Sequence, residues 1–293
     1  MPRAQANGIE IEYETFGHSG DPPLLLVMGL GAQMILWHEE FCGALAERGF
    51  HVIRYDNRDV GRSTWLDDAG MPDVVAALAA IGAGGAIEAP YRLSDMAADA
   101  AALLDALALD AAHVVGASMG GMIAQTLAIE HAPRVRTLTS IMSTTGARDL
   151  PPARPEAMAL LMTPLPTDRA AQIERQVQVS RTIGSPAYPS DEAELRALAA
   201  RVFDRGVNPP GFARQLLAIL ASGSRREALA GVRAPTLVIH GADDPLVPVE
   251  GGRDTAAAIP GATLLEIPGM GHDLPRALWP AIVDAIAKHA EQA

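Results

Sequence analysis

Along most of this chain, short continuous apolar runs alternate with longer stretches whose apolar positions recur at helical spacing. Residues 9 to 16 differ: Ile9, Ile11 and Tyr13 alternate with Glu10, Glu12 and Glu14, which predicts a half-solvated antiparallel strand at a sheet edge. Asp21, Pro22 and Pro23 mark a turn, and Leu24 to Met28 is then apolar throughout, as a strand buried on both faces requires. That run leads into Gly29, Leu30 and Gly31. Trp37 to Arg48 reads as a helix closed by Gly49, and His51 to Tyr55 as the next strand, so a parallel sheet begins here. Residues 66 to 92, with an alanine- and glycine-rich part from Ala76 to Ala89, read as irregular. Ser94 has the character of an N-cap, with Asp95 and Asp99 near the positive end of a helix striped by Met96, Leu103, Leu104 and Leu107.

The stretch from His113 to Ile129 is organised differently from an ordinary strand and helix. Val114 and Val115 end in Gly116, Ala117, Ser118, Met119 and Gly120, after which Met122, Ile123, Leu127 and Ala128 follow helical spacing. A strand that enters a helix through so tight a turn needs flanks without side-chain bulk, and Gly116 and Gly120 occupy them. Ser118 stands at the apex. This is the nucleophile-elbow pattern, in the strand-turn-helix context that its mechanism needs.

Val135 to Met142 supplies a further buried strand. From 144 to 226 the texture changes: prolines cluster, strand-like runs stop, and helical segments remain near 154 to 162, 168 to 182, 191 to 203 and 211 to 221. That stretch reads as an inserted helical cap on a core formed by 1–143 and 227–293. Alternation resumes with Thr236 to His240 as a strand, Val249 to Ala258 as a helix, Thr263 to Ile267 as the last strand and Leu278 to His289 as the closing helix.

Length and charge narrow the partners. A chain of 293 residues buries a sizeable core, and one α/β domain with an insertion fits it. A formal net charge of −12 argues against a grip on nucleic acid or an anionic membrane, so the expected partner is a small molecule. Apolar runs fall short of the roughly 18 to 20 residues of a membrane span, and the first residues lack a basic segment followed by an apolar one, so a cytoplasmic protein is expected. A homo-oligomer is left open. Cys42, the single cysteine, reads as an apolar filler in an early helix, and no metal site emerges.

A serine hydroxyl is a poor nucleophile at neutral pH and needs a base, which in turn needs a group to hold its tautomer. Two loops could supply them. The strand at Thr236 to His240 is followed by Gly241, Ala242, Asp243, Asp244 and Pro245, and the last strand by Pro268, Gly269, Met270, Gly271 and His272. Both lie just past the carboxyl ends of expected parallel strands, the edge where open α/β sheets build their sites. Asp244, extended by the proline after it, is preferred as the acid over Asp243, which reads as a turn residue. An oxyanion needs two backbone donors, and the N–H groups of Leu30 and Met119 fit that role. His240 reads as a packed or hydrogen-bonded core residue. Asp56, Arg58 and Asp59 read as a strand-end loop with the arginine pinned between the carboxylates. Met28, Met34, Met119, Met122, Met142, Met158, Met162 and Met270 read mostly as core, with an acyl pocket as the other reading.

The stretches LLLVMG at 24 to 29, HVIRYDNRDVGRST at 51 to 64, AHVVGASMGG at 112 to 121, PTLVIHGADDP at 235 to 245 and IPGMGHDLP at 267 to 275 resemble the α/β-hydrolase superfamily. Within it they resemble the branch that includes aclacinomycin methylesterase. The resemblance implies a mostly parallel eight-stranded sheet with helices on both faces and an inserted cap. It also implies Ser118 as nucleophile, His272 as base, Asp244 as orienting acid and the Leu30 and Met119 amides as oxyanion hole. Met28 stands where a His-Gly pair is common in the wider superfamily. The cap matches poorly, so the particular substrate does not carry over.

These readings converge on a cofactor-free serine hydrolase that cleaves carboxylic esters through an acyl-enzyme on Ser118. Because the base must be neutral, activity should rise with pH through about 6 to 7. An acyltransferase or a cofactor-free perhydrolase would use the same triad, and a non-catalytic ligand-binding protein could use the same scaffold. Epoxide and haloalkane hydrolases carry aspartate where this chain has Ser118.

Overall fold

Successive residues of the central strands serve two different apolar layers. Leu25, Val27 and Val114 belong to one cluster of buried side chains, and Leu24, Leu26 and Val115 to another. That is the alternation a pleated strand imposes, and it explains why runs such as Leu24 to Val27 carry no polar position. The computed structural model describes residues 1–83, 85 and 87–293.

In chain order, β1 (Arg3–Ala6) and β2 (Ile9–Phe16) form a hairpin, followed by β3 (Pro23–Val27), α1 (Glu39–Ala46) and β4 (His51–Tyr55). Next come α2 (Val74–Gly82), α3 (Leu93–Ala106), β5 (Ala112–Ala117), α4 (Met119–Glu130) and β6 (Val135–Ile141). Four helices then intervene: α5 (Pro155–Met162), α6 (Arg169–Ile183), α7 (Glu192–Arg205) and α8 (Pro209–Ser222). The chain ends with α9 (Arg226–Leu229), β7 (Thr236–Gly241), α10 (Val249–Ala258), β8 (Thr263–Ile267) and α11 (Trp279–Ala290).

The strands form one eight-stranded sheet in the order β1-β2-β4-β3-β5-β6-β7-β8. The pairs β1/β2 and β2/β4 are antiparallel, and every other pair is parallel. Side chains of α3 and α4 fill one face, and those of α1 and α11 the other. The chain runs from β3 outward to β4 and then back across to β5, so β3 and β5 flank a topological switch point. A crevice at their carboxyl ends is where such a sheet can hold a ligand.

Several local expectations are corrected. The edge strand is β1, not residues 9 to 16; Asn7 and Gly8 turn the hairpin with φ of 50° and 78°, the geometry for which Asn-Gly is suited. Ser94 is not the cap of α3. The helix starts two residues earlier than such a cap would set, with Arg92 as N-cap, Leu93 fully buried and the Asp95 carboxylate accepting the Arg92 N–H at 2.7 Å. Trp37 lies outside α1 in an extended conformation, because its carbonyl turns to the buried Arg54 guanidinium. Residues 66 to 92 are not irregular throughout, since they contain α2 and a 3₁₀ turn at Asp67–Ala69; residues 84 and 86 lie outside the described residues. Met158 is 41% exposed and therefore not core, whereas Met28, Met34, Met119, Met122, Met142 and Met270 are buried.

The loop after β4 is also corrected. Arg58 is not pinned between Asp56 and Asp59; it pairs with Asp99 of α3 at 2.6 Å. Asp56 instead meets Arg205 of α7, and Asp59 meets Arg214 of α8 through two hydrogen bonds of 2.6 and 2.8 Å. Cys42 is fully buried, which pushes its thiol up to about 12. Among the described residues no helix is long and apolar enough to cross a membrane.

Candidate active site

The end of β5 and the start of α4 are joined by a single residue, Ser118, with φ 56° and ψ −121°. A non-glycine residue held there costs about 1–3 kcal/mol, which the surroundings must supply. The Ser118 N–H donates to Ile141 O at 2.9 Å, and the Ser118 carbonyl accepts from Ser143 Oγ at 2.8 Å and from Gly121 N at 2.9 Å. The glycines leave no alternative. A β-carbon on Gly116 would lie 2.1 Å from Gly120 O, and one on Gly120 would lie 2.1 Å from Val27 O.

His272 and Asp244 arrive on loops after β8 and β7. The structure brings all three side chains into one line: His272 Nε2 lies 3.0 Å from Ser118 Oγ, and His272 Nδ1 lies 2.7 Å from Asp244 Oδ2. The other oxygen, Oδ1, accepts the backbone N–H groups of Leu246 and Val247 at 2.9 and 2.8 Å. A carboxylate can only accept, so the imidazole proton sits on Nδ1 and Nε2 presents its lone pair to the serine hydroxyl. Asp244 is buried, which keeps water from competing for it. The backbone N–H of His272 donates to Ile183 O of α6 at 2.7 Å, so the inserted helices help place the base.

Met119 follows Ser118 directly in the chain, and Leu30 follows Gly29 in the loop after β3. Met119 is the first residue of α4, whose opening amides have no partner within the helix and carry the positive end of its dipole. Gly29 passes close by, since a β-carbon built on it would lie 3.6 Å from Ser118 Oγ. Asp243 is separate from this line: it is exposed, and its Oδ2 accepts the Gly269 N–H at 2.8 Å. Among the described residues no group of three or more His, Cys, Asp or Glu side chains is gathered as a metal site requires.

With this geometry in hand, comparison with known proteins is informative. The alpha/beta hydrolase fold family matches residues 22–275. The chain belongs to the α/β-hydrolase fold family. Rhodomycin D methylesterase DauP of Streptomyces sp. strain C5 is 34% identical over 314 residues, covering 96% of this chain and 94% of that protein. Rhodomycin D methylesterase DnrP of Streptomyces peucetius is 33% identical over 308 residues, with the same coverage. Among solved α/β folds, the enol-lactonase from Burkholderia xenovorans LB400 superposes with a TM-score of 0.75 at 24% identity, over 99% of this chain and 100% of that one.

His240 is the packed, hydrogen-bonded core residue that the sequence suggests, and only its place beside Asp244 escaped sequence reasoning. His240 is fully buried, and its Nε2 donates to Val247 O at 2.8 Å while lying 3.7 Å from Asp244 Oδ2. Burial lowers its pKa, so it stands as a neutral post beside the acid. Its four-residue spacing from Asp244 was the available signal. Gln215 of α8 was missed outright; a glutamine beside Arg214 in a largely apolar helix gave nothing to align with Gly31, 184 residues away.

Proposed function

We propose that this α/β hydrolase cleaves carboxylic esters through an acyl-enzyme on Ser118. The unbroken hydrogen-bonded line Ser118–His272–Asp244 carries the reading. Ser118 Oγ adds to the ester carbonyl as its proton passes to His272 Nε2, and Asp244 stabilises the imidazolium that forms. The carbonyl oxygen becomes an oxyanion facing the amides of Leu30 and Met119, where the dipole of α4 adds to the hydrogen bonds. His272 returns its proton to the leaving alkoxide, and the alcohol departs. Water then attacks the acyl-serine with His272 again as base, the carboxylic acid is released and Ser118 regains its proton.

The two relatives that are methylesterases support an ester as substrate and make a methyl ester the first to offer. In this reading α5 to α8 are the cap, and they supply the walls against which acyl and alcohol groups are selected. The test is release of p-nitrophenol from acetate through decanoate esters, and of methanol from methyl esters, by wild type and by Ser118→Ala. The expected outcome is turnover by the wild type and a loss of roughly 10³-fold or more in the variant. Equal turnover by the two proteins would overturn the reading.

A further inference from the structure

The loop that carries Leu30 is held in part from α7 and α8, the last two of the four helices between β6 and β7. Gly31, the next residue, has φ +63° and sits between two side chains of α8 separated by a single turn. On one side its N–H donates to Gln215 Oε1 at 2.7 Å. On the other the Phe212 ring closes in, so that a β-carbon on Gly31 would lie 2.5 Å from Phe212 Cδ2. Gln215 is fully buried, and its Nε2 donates to Arg58 O at 2.7 Å, so the amide spans two loops and has both ends occupied.

The contacts further along the loop come from α7 and from the loop after β4. Gln33 Nε2 donates to Val202 O and Gly206 O at 2.8 and 2.7 Å, and its Oε1 accepts from Arg205 Nε at 2.8 Å. Met34 N donates at 2.7 Å to Asp56, whose other oxygen meets the same Arg205.

We infer that Gln215 is a positioning residue for the oxyanion hole: by holding Gly31 N–H against α8 it sets the direction of the adjacent Leu30 amide. This rests on the ester-hydrolase reading above. The Gly29–Leu30 and Leu30–Gly31 peptide planes meet at the Leu30 α-carbon, and with the loop anchored at β3 and at Gln33, a turn of the second plane is taken up by the first. Without Gln215 the Gly31 N–H has no acceptor on α8, and the loop gains freedom where a donor must already point at the developing charge. Oxyanion donors act on the transition state far more than on the bound ester, so the loss appears in kcat.

The experiment compares wild type with Gln215→Met, which fills the space without hydrogen bonds, and Gln215→Asn, which stays polar but is too short to span both loops. Ester hydrolysis is read beside the affinity for an alkyl trifluoromethyl ketone. That ketone accepts Ser118 Oγ at its carbonyl carbon, passes the serine proton to His272 and leaves an oxyanion in the hole. Both variants are expected to lose about 10- to 100-fold in kcat, to keep KM within about threefold and to bind the ketone more weakly by the same factor as kcat falls. Thermal melting shows which variants fold, and either folded variant suffices. Unchanged kcat, or a fall in kcat with ketone affinity unchanged, overturns the inference while leaving the hydrolase reading in place. A wild type without ester turnover overturns that reading, and this inference with it.

Discussion

Asp243 and Asp244 are adjacent and chemically identical, yet the fold gives them unlike surroundings. Asp244 is buried with three donors on its two oxygens, whereas Asp243 is exposed and accepts Gly269 N–H from the loop after β8. Asp244→Asn places an amide where only an acceptor serves, so the imidazole can take the tautomer with its proton on Nε2, facing the serine. The expected result is a fall in kcat of about 10²- to 10⁴-fold. In Asp243→Asn the amide oxygen still accepts from Gly269, and kcat is expected to stay within about threefold of wild type. Steady-state hydrolysis of one p-nitrophenyl ester by both variants checks the pair, and the reverse ranking would exclude Asp244 as the orienting acid.

At the scale of elements, the main structural feature is the seam between α8 and the loops that follow β3 and β4. Arg214 is fully buried beside Gln215 in a largely apolar stretch of α8 and is matched bidentately by Asp59, itself fully buried. Burial alone pushes the Asp59 carboxyl up, but Arg214, the Leu66 amide and the Tyr91 hydroxyl outweigh it and leave its pKa lowered. Breaking one half of such a pair strands a charge in the interior. Arg214→Met is therefore expected to destabilise the protein by roughly 3–5 kcal/mol, and the double variant Asp59→Asn/Arg214→Met to recover part of that loss. Urea unfolding monitored by fluorescence measures both. A double variant no more stable than Arg214→Met would show that packing, not the stranded charge, dominates this seam.

For the whole molecule, one contribution to acid sensitivity comes from histidines whose charged form burial disfavours. Burial pushes His113 down to about 4, with nearby Arg136 and His289 adding to it, and burial also lowers His240 and His289. The unfolded chain takes up protons on these groups near 6.5, while the folded one refuses them, so stability is lost as pH falls from about 6.5 towards 4. The net charge of −12 relaxes over the same range and acts in the opposite direction, so the informative quantity is the difference between proteins. His113→Gln can keep a hydrogen bond to Thr137, which His113 Nδ1 meets at 2.9 Å. The drop in urea midpoint between pH 7.5 and pH 4.5 should be smaller in this variant than in wild type. An equal drop would place the acid sensitivity elsewhere.

The order of strands and helices, the sharp turn at Ser118 and the positions of Asp244 and His272 could all be read from the chain, because each depends on neighbours in sequence. Burial on two faces leaves an unbroken apolar run, a tight elbow demands Gly116 and Gly120, and parallel strands end where loops can meet. The Asn7-Gly8 hairpin is equally local, since its turn needs only the two residues that form it. What only the tertiary structure decided is which distant groups satisfy one another. Arg58 turned to Asp99, Asp56 and Asp59 to arginines of the insertion, and Gln215 to Gly31, pairings that span 41 to 184 residues. A charge or an amide buried by folding must find a partner wherever the packing brings one, and no periodicity along the chain records that choice.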